Sequence, residues 1–329
     1  MDSLSQALLG ASVAGAFAPS KHRGKAMLLG AALGTLPDMD VLIDYGGAVE
    51  NFTYHRGFSH SLFVLVPFAV VIWLALRRWW APVGERPGRW LAAISLALVT
   101  HALLDAHTAY GTQLLWPMDV PPTSWATLFI IDPLYTLPLL ISVLIATFWR
   151  RLAGRALQAA LILSTAYIGW SWIGQTIATQ HFEAALAELR IEDAELFVTP
   201  TPLNTMLWRG VAVVDGVQLE GFDSLLIDEG GVEFSHFDQG ATYLAEAADI
   251  WAVQQLRWFA QGFVRAEVED DQLVISDLRM GQHPFYVFNH IVAERGDSGW
   301  NAVTTEMLPR SIGDRAIAET WQRIWQEPR

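Results

Sequence analysis

Six apolar segments in the first 180 residues constrain the fold of this chain more than any other feature. They run roughly over residues 5–19, 26–43, 61–76, 90–106, 127–149 and 156–178. Several approach the ~20 residues that a helix needs to cross a bilayer, and the first is short enough to be tilted or only partly inserted. The pattern predicts an all-α polytopic membrane domain of about six apolar helices over residues 1–178. A large soluble helical core is the alternative.

Basic residues lie in alternate loops between these segments. If every segment spans, ten of the 11 basic residues before residue 179 fall on one side, which the positive-inside rule makes cytoplasmic. Tryptophans gather at both ends of the segments, as in an interfacial aromatic belt. The distribution favours a membrane domain with its N-terminus outside. The basic loops hold Lys21, Arg23 and Lys25; Arg77, Arg78, Arg86 and Arg89; and Arg150, Arg151 and Arg155.

Residues 179–329 differ chemically from the apolar part. They contain 10 Lys and Arg against 25 Asp and Glu, whereas residues 1–178 contain 11 against 9. An acidic region repels phosphates, so no nucleic-acid partner is expected. The chain has no cysteine, which excludes a disulfide or a thiolate metal site.

The acidic region also carries its own secondary-structure signals. A hairpin is predicted around Asp215-Gly216 and a second turn at Asp270-Asp271. Helices are predicted near 180–192, 242–262 and 313–326. We therefore expect a small soluble α+β domain over residues 179–329, which six spans with the N-terminus outside place outside the cytoplasm.

The predicted topology brings the polar residues of four segments to one membrane face. Ionisable groups near a bilayer are costly and tend to be paired, ligated or functional. This convergence is independent of the basic residues and tryptophans that predict the topology, so it supports the topology separately. The residues are Asp38 and Asp40 in TLPDMD, His55, Arg56 and His60 in YHRGFSH, His101 and Asp105 in THALLDAH, and Asp132 in IIDPLY.

Two of these motifs have a structural reading beside the functional one. His101 and Asp105 are four apart, so they share one helical face and can either bind an ion or form a hydrogen-bonded pair. Asp38 and Asp40 follow Pro37 and can simply form a turn or helix end.

The other candidate residues also allow both a structural and a functional interpretation when each is considered alone. Asp132 before Pro133 can cap a helix or take part in function. His55 and His60 do not share a helical face, so a loop must carry at least one of them. Arg56 can contact headgroups, although a guanidinium between two histidines suits an anionic substrate better.

Taken together, the histidines and carboxylates form a nitrogen and oxygen ligand set. Such sets suit Zn²⁺, or Mn²⁺ and Fe²⁺, and histidines argue against Mg²⁺ or Ca²⁺ alone. The number of ligands allows two metals, which can clamp a phosphoryl oxygen and lower the pKa of a water. Arg56 would then hold a phosphate oxygen.

Five stretches carry a family resemblance that covers roughly residues 1–180 in order. DSLSQALLGA, GTLPDMDVL, HRGFSHS, HALLDAHTAYGTQLLWP and FIIDPLYTLPLL resemble the YdjM-like membrane-bound metal-dependent hydrolases. That family is considered related to zinc-dependent phospholipases C and certain nucleases, which implies an all-helical site with one to three zinc ions and phosphoester hydrolysis. Many relatives have Thr-His where this chain has Ser5-Gln6, so one metal position is expected to be weakened or absent. The matching ligand positions are Asp38, Asp40, His55, His60, His101 and Asp105.

The combined expectation is a multi-pass inner-membrane hydrolase acting on a phosphoester or phospholipid-like substrate. Metal-activated water would be the nucleophile, with Arg56, Asp40 and Asp132 as catalytic residues. An ion or metal transporter and a membrane scaffold with a structural metal site are the alternatives. Transport predicts ionisable residues near the midplane and on both sides, whereas here they gather at one end, which favours an enzyme.

Overall fold

The computed structural model describes residues 1–228, 231–297, 299–309 and 320–326. Contacts divide the chain into two compact units. The first comprises Met1–Ile43, Arg56–Trp125 and Ile130–Ser171; the second comprises Asp44–His55, Ala126–Phe129 and Trp172–Arg329. The predicted boundary after residue 178 treats the domains as consecutive. In the structure, two short segments of the N-terminal half group with the C-terminal unit.

Each of the six apolar segments overlaps one helix of 13 residues or more. The short helices Ala48–Tyr54 and Ala81–Glu85 lie between some of them. Among the described residues, Leu62–Trp79, Pro87–Ala106 and Ala153–Glu188 are long and apolar enough to cross a membrane, whereas Ser3–Phe17 and Pro133–Phe148 are apolar but shorter. Six spans are therefore not confirmed. The helices are α1 Ser3–Phe17, α2 Arg23–Thr35, α3 Ala48–Tyr54, α4 Leu62–Trp79, α5 Ala81–Glu85, α6 Pro87–Ala106, α7 Pro133–Phe148 and α8 Ala153–Glu188.

Helix α1 lies inside the first unit, against α2, α6 and α7. Its sequence is apolar on all sides, and Leu8, Leu9 and Val13 are all buried, as expected of a helix without a polar face. A Cβ atom on Gly10 would overlap the backbone carbonyl of Gly30 in α2. Small residues permit this close approach of two apolar helices. Hydrogen bonds described below join the start of α1 to the end of α6.

The second unit is built from antiparallel strands and short helices. One sheet has the order β1-β2-β3-β4, the other β10-β9-β6-β5, and β7 pairs with β8. The strands are β1 Glu195–Pro200, β2 Leu207–Val214, β3 Val217–Ser224, β4 Phe234–Asp238, β5 Val264–Glu269, β6 Gln272–Asp277, β7 Gly281–Gln282, β8 Phe285–Tyr286, β9 Asn289–Gly296 and β10 Gly299–Met307.

Both predicted turns are confirmed. Asp215 and Gly216 join β2 to β3 with φ of 48° and 78°, and Asp270 and Asp271 join β5 to β6 with φ of 46° and 63°. Two consecutive residues with positive φ make the two-residue turn whose twist matches antiparallel strands.

The predicted helices of this region need correction. The connecting helix near 180–192 is the end of α8, which continues because no proline interrupts the chain between its apolar and amphipathic parts. The helix near 242–262 is two helices, α9 Ala241–Glu246 and α10 Trp251–Phe259. Backbone bonds from Ala248 to Ala245 and from Ile250 to Ala247 tighten the chain into turns between them. Half of the predicted helix near 313–326, residues 313–319, lies outside the described residues, and residues 320–323 are helical.

Candidate metal centre

Three elements of the first unit position four ionisable side chains. Asp38 lies on the short 3-10 helix Pro37–Leu42, which Pro37 starts. His60 ends the 3-10 helix Phe58–His60. His101 and Asp105 lie in the last turns of α6, and their spacing of four places them on one face of the helix. His60, His101 and Asp105 are fully buried, and the Asp38 side chain is 20% exposed.

One atom from each of these residues converges on a common point. The Nε2 atoms of His60 and His101 lie 3.0 Å apart. Asp38 Oδ1 lies 3.4 and 3.5 Å from them, and Asp105 Oδ2 lies 3.1 and 3.3 Å from them. A tetrahedral zinc with bonds of ~2.1 Å holds its ligand atoms about 3.4 Å apart. The cluster therefore has the dimensions of a single four-coordinate site and can bind a metal ion.

A backbone carbonyl fixes the tautomer of His101. Its Nδ1 lies 2.6 Å from the carbonyl oxygen of Gly34 in α2. A carbonyl only accepts, so Nδ1 carries the proton and donates it. In the neutral ring, Nε2 is then left with its lone pair facing the cluster, as in histidines that bind metals.

A serine and an aspartate fix the tautomer of His60 in the same way. Ser59 Oγ donates to Asp40 Oδ2 at 2.5 Å, which uses its only proton. Ser59 Oγ therefore accepts from His60 Nδ1, 2.9 Å away. His60 Nε2 also presents a lone pair. Two imidazole lone pairs and two carboxylate oxygens thus converge, an arrangement that a cation satisfies.

The second oxygen of Asp105 faces hydrogen-bond donors instead. Gln6 Nε2 donates to Asp105 Oδ1 at 3.0 Å and to the His101 carbonyl at 3.2 Å. Arg56 Nη2 lies 3.4 Å from Asp105 Oδ1, and the amino group of Met1 donates to the same oxygen. These contacts orient the carboxylate so that Oδ2 points at the cluster.

Arg56 is buried and held from several sides. Its backbone has a φ of 61°, and its amide donates to Asp40 Oδ2 at 3.0 Å. Nη1 donates to Thr108 Oγ1 at 3.1 Å, and the guanidinium lies over the ring of Tyr110 at 5.0 Å. The buried Nε has no hydrogen-bond partner among the described residues. The observed contacts pair Arg56 with Asp105.

The remaining predicted site residues take other places. Asp40 is outside the four-residue cluster, and its Oδ2 instead accepts from Arg56 and Ser59. His55 is also outside the cluster and belongs to the second compact unit.

Asp132 is the N-cap of α7. Its Oδ1 accepts from the amides of Leu134 and Tyr135, and its Oδ2 accepts from the Tyr167 hydroxyl at 2.9 Å. The capping interpretation is confirmed, and the catalytic role of Asp132 stays a prediction.

Sequence reasoning did not identify three groups that support the cluster. They are the hydroxyls of Ser59 and Thr108 and the carbonyl of Gly34. Thr108 follows Asp105 by one helical turn, and Ser59 directly precedes His60, so local spacing offered a signal for both. The carbonyl of Gly34 had none, because its contact depends on how α2 packs on α6.

Comparison with known proteins places the cluster in a family context. Residues 1–178 match the family described as YdjM inner membrane protein. The chain is similar to inner membrane protein YbcI of Escherichia coli (strain K12), 38% identical over 95 residues, which cover 28% of this chain and 53% of that protein. It is also similar to the uncharacterized protein YfhP of Bacillus subtilis (strain 168), 30% identical over 96 residues, which cover 29% of this chain and 28% of that protein. No solved structure matches.

Proposed function

Since this chain belongs to the YdjM inner membrane protein family, we propose that it is a membrane-bound metal-dependent hydrolase of a phosphoester or phospholipid-like substrate. The observation that carries the proposal is the convergence of four lone-pair atoms from Asp38, His60, His101 and Asp105. Two imidazoles and two carboxylates suit Zn²⁺ best, with Mn²⁺ or Fe²⁺ as alternatives. A divalent ion there lowers the pKa of water and polarises a phosphoryl oxygen.

The protein groups around the cluster have separate tasks in this proposal. Ser59 and Asp40 keep the His60 lone pair aimed inward through the Nδ1 hydrogen bond. Gln6 and Arg56 orient Asp105. The Arg56 guanidinium also supplies a fixed positive charge that favours a phosphate anion close to the cluster.

The exposure of Asp38 supports a lipid-like substrate. Asp38 is the one cluster ligand with a partly exposed side chain, whereas the other three are fully buried. On the same 3-10 helix, Met39, Val41 and Leu42 are all exposed. An approach from this side therefore passes apolar side chains before it reaches the cluster. Such a rim favours a substrate with an apolar portion.

The orientation in the membrane is part of the proposal. The three basic loops motivate a cytoplasmic position for Arg77, Arg150 and their neighbours, with the C-terminal unit outside the cytoplasm. Alkaline phosphatase fused after residue 329 should then be active, and a fusion active only as a cytoplasmic reporter would overturn the orientation.

A structural metal site is the second candidate. Structural zinc sites are closed by four protein ligands, whereas catalytic sites keep a position open. The four-ligand cluster with three fully buried members is the observation that favours this reading. Asp38 is the residue whose movement would open a position.

One experiment separates the two candidates. The purified full chain in detergent is stripped of metal, reloaded with Zn²⁺, and assayed on a chromogenic phosphodiester and on a short-chain phospholipid. The hydrolase proposal predicts hydrolysis that needs Zn²⁺ and disappears in His60→Ala. Stoichiometric Zn²⁺ binding without hydrolysis of either substrate would support the structural site instead. Ser164→Ala, a buried serine of the same unit, is the matched control.

A further inference from the structure

The two oxygens of Asp105 have opposite surroundings. Oδ2 faces the lone pairs of His60 and His101, at 3.1 and 3.3 Å. Oδ1 faces the donors of Gln6 and Arg56, at 3.0 and 3.4 Å. A carboxylate that bridges two metal ions offers one oxygen to each of them. Here the second oxygen is already occupied by a protein cation and an amide.

The Arg56 guanidinium cannot easily leave this position. The guanidinium contacts Thr108 through Nη1, Asp105 through Nη2 and the Tyr110 ring through Cζ, and the backbone amide of the residue is bound to Asp40. The residue is 4% exposed. A buried guanidinium held at three points costs much to displace, because removal from its partners leaves charges uncompensated.

The charges around the cluster balance with one divalent ion. Asp38, Asp40 and Asp105 contribute three negative charges, and both histidines are neutral when Nε2 binds a metal ion and Nδ1 keeps its proton. Arg56 and one divalent cation contribute three positive charges. A second divalent cation would leave two positive charges in excess at a buried place, which is unfavourable. A proton on the Met1 amino group, which contacts Asp105, would add one positive charge in either case and leave the difference between one ion and two unchanged.

We propose that Arg56, together with Gln6, takes the place of a second cation, so that this centre binds a single divalent ion. The inference rests on the proposed metal centre and specifies its metal count. Arg56 is then a built-in positive charge beside the ion. It contacts Asp105 Oδ1, whereas Asp105 Oδ2 faces the metal.

Metal content tests the count directly. The full-length protein and its His60→Ala variant are saturated with Zn²⁺, freed of excess ion by gel filtration, and measured by mass spectrometry. Subtracting the Zn²⁺ content of the variant from that of the wild type cancels the contribution of adventitious surface ions. A difference of one Zn²⁺ per chain is expected, and a difference of two overturns the proposal. A difference of zero rejects the metal centre itself. Failure of the one-ion proposal is therefore distinguishable from failure of the proposed metal centre.

Two variants test the residues named. Gln6→His alone keeps Arg56 and should still bind one Zn²⁺, whereas Gln6→His combined with Arg56→Met should bind a second. Arg23→Met, at an arginine that binds the Gly15 carbonyl, is the matched control and should not change the count. A double variant that keeps the first ion and gains none overturns the role of Arg56. If that variant does not fold, the wild-type difference and Gln6→His still decide the count.

Discussion

The Nε2 atoms of His60 and His101 face each other 3.0 Å apart, and neither carries the proton of its neutral ring. His101 donates from Nδ1 to the Gly34 carbonyl, and His60 donates from Nδ1 to Ser59. Two lone pairs at this distance repel each other unless a cation or a proton lies between them. This relationship between two side chains from different helices is the strongest physical indication of a metal centre in the chain.

The first prediction concerns Ser59, which lies outside the ligand set. In Ser59→Ala the His60 Nδ1–H loses its acceptor, and Asp40 loses a donor. Loss of such an outer hydrogen bond typically weakens metal affinity about 10–100-fold. Competition with a zinc chelator measures the affinity, with Ser164→Ala as the control. An unchanged affinity would show that Ser59 does not orient His60.

The second prediction separates a catalytic from a structural Arg56. Lysine keeps the charge but lacks the planar fork that reaches Thr108 and Asp105 while stacking on Tyr110. Arg56→Lys should therefore keep one Zn²⁺ and its place in the membrane while losing most hydrolysis. Zn²⁺ content and the hydrolysis rate are measured on the same preparation. A wild-type rate would leave Arg56 as only a structural partner of Asp105.

The sequence predicts much of the cluster because local spacing governs its parts. His101 and Asp105 are four apart on an apolar helix, so they had to share a face. Asp38 follows a proline that starts a short helix, and His60 precedes the apolar stretch of α4. The two turns at Asp215-Gly216 and Asp270-Asp271 are likewise predictable, because Asp and Gly tolerate the positive φ that these turns require.

The rest depends on packing that no local pattern encodes. Asp40 and His55 have the same chemistry as the ligands, yet only tertiary structure decides that Asp40 faces Ser59 and that His55 groups with the other unit. The length of α8 was underestimated because a change from apolar to amphipathic sequence resembles a boundary, although nothing in the backbone stops the helix there.

The third prediction tests the two interpretations of Asp132. Asparagine retains the oxygen that accepts from the amides of Leu134 and Tyr135, whereas alanine removes it. A cap is worth about 1 kcal/mol, so Asp132→Ala should lower the free energy of unfolding by that amount and Asp132→Asn by less. If capping is the only role of Asp132, hydrolysis by Asp132→Asn should remain near wild type. A loss of hydrolysis without loss of stability would instead support a catalytic Asp132.

The fourth prediction is a pH dependence from His290 in the second unit. Both ring nitrogens are buried without a hydrogen-bond partner among the described residues, and burial lowers the pKa of His290 to about 4. The unfolded chain binds this proton near its ordinary pKa of 6.5, so the free energy of unfolding should fall as pH drops from about 6.5 to about 4. The shift is worth roughly 3 kcal/mol in total.

Chemical denaturation at several pH values measures this effect. His290→Phe removes the titrating group beside Phe52, whose ring lies 5.0 Å away, and should flatten the pH dependence. His236→Phe, at an exposed histidine on β4, should leave it unchanged. An equally steep pH dependence in His290→Phe would assign the effect to other groups.

X-ray absorption at the zinc edge of the Zn²⁺-loaded protein tests the metal centre most directly. A zinc ion held by the four cluster residues should show four nitrogen or oxygen neighbours at ~2.0–2.2 Å, with the outer-shell scattering of two imidazole rings. His101→Ala should reduce the imidazole scattering or abolish zinc binding altogether. A six-coordinate oxygen shell without imidazole scattering would contradict the proposed metal centre, because zinc would then lie away from His60 and His101.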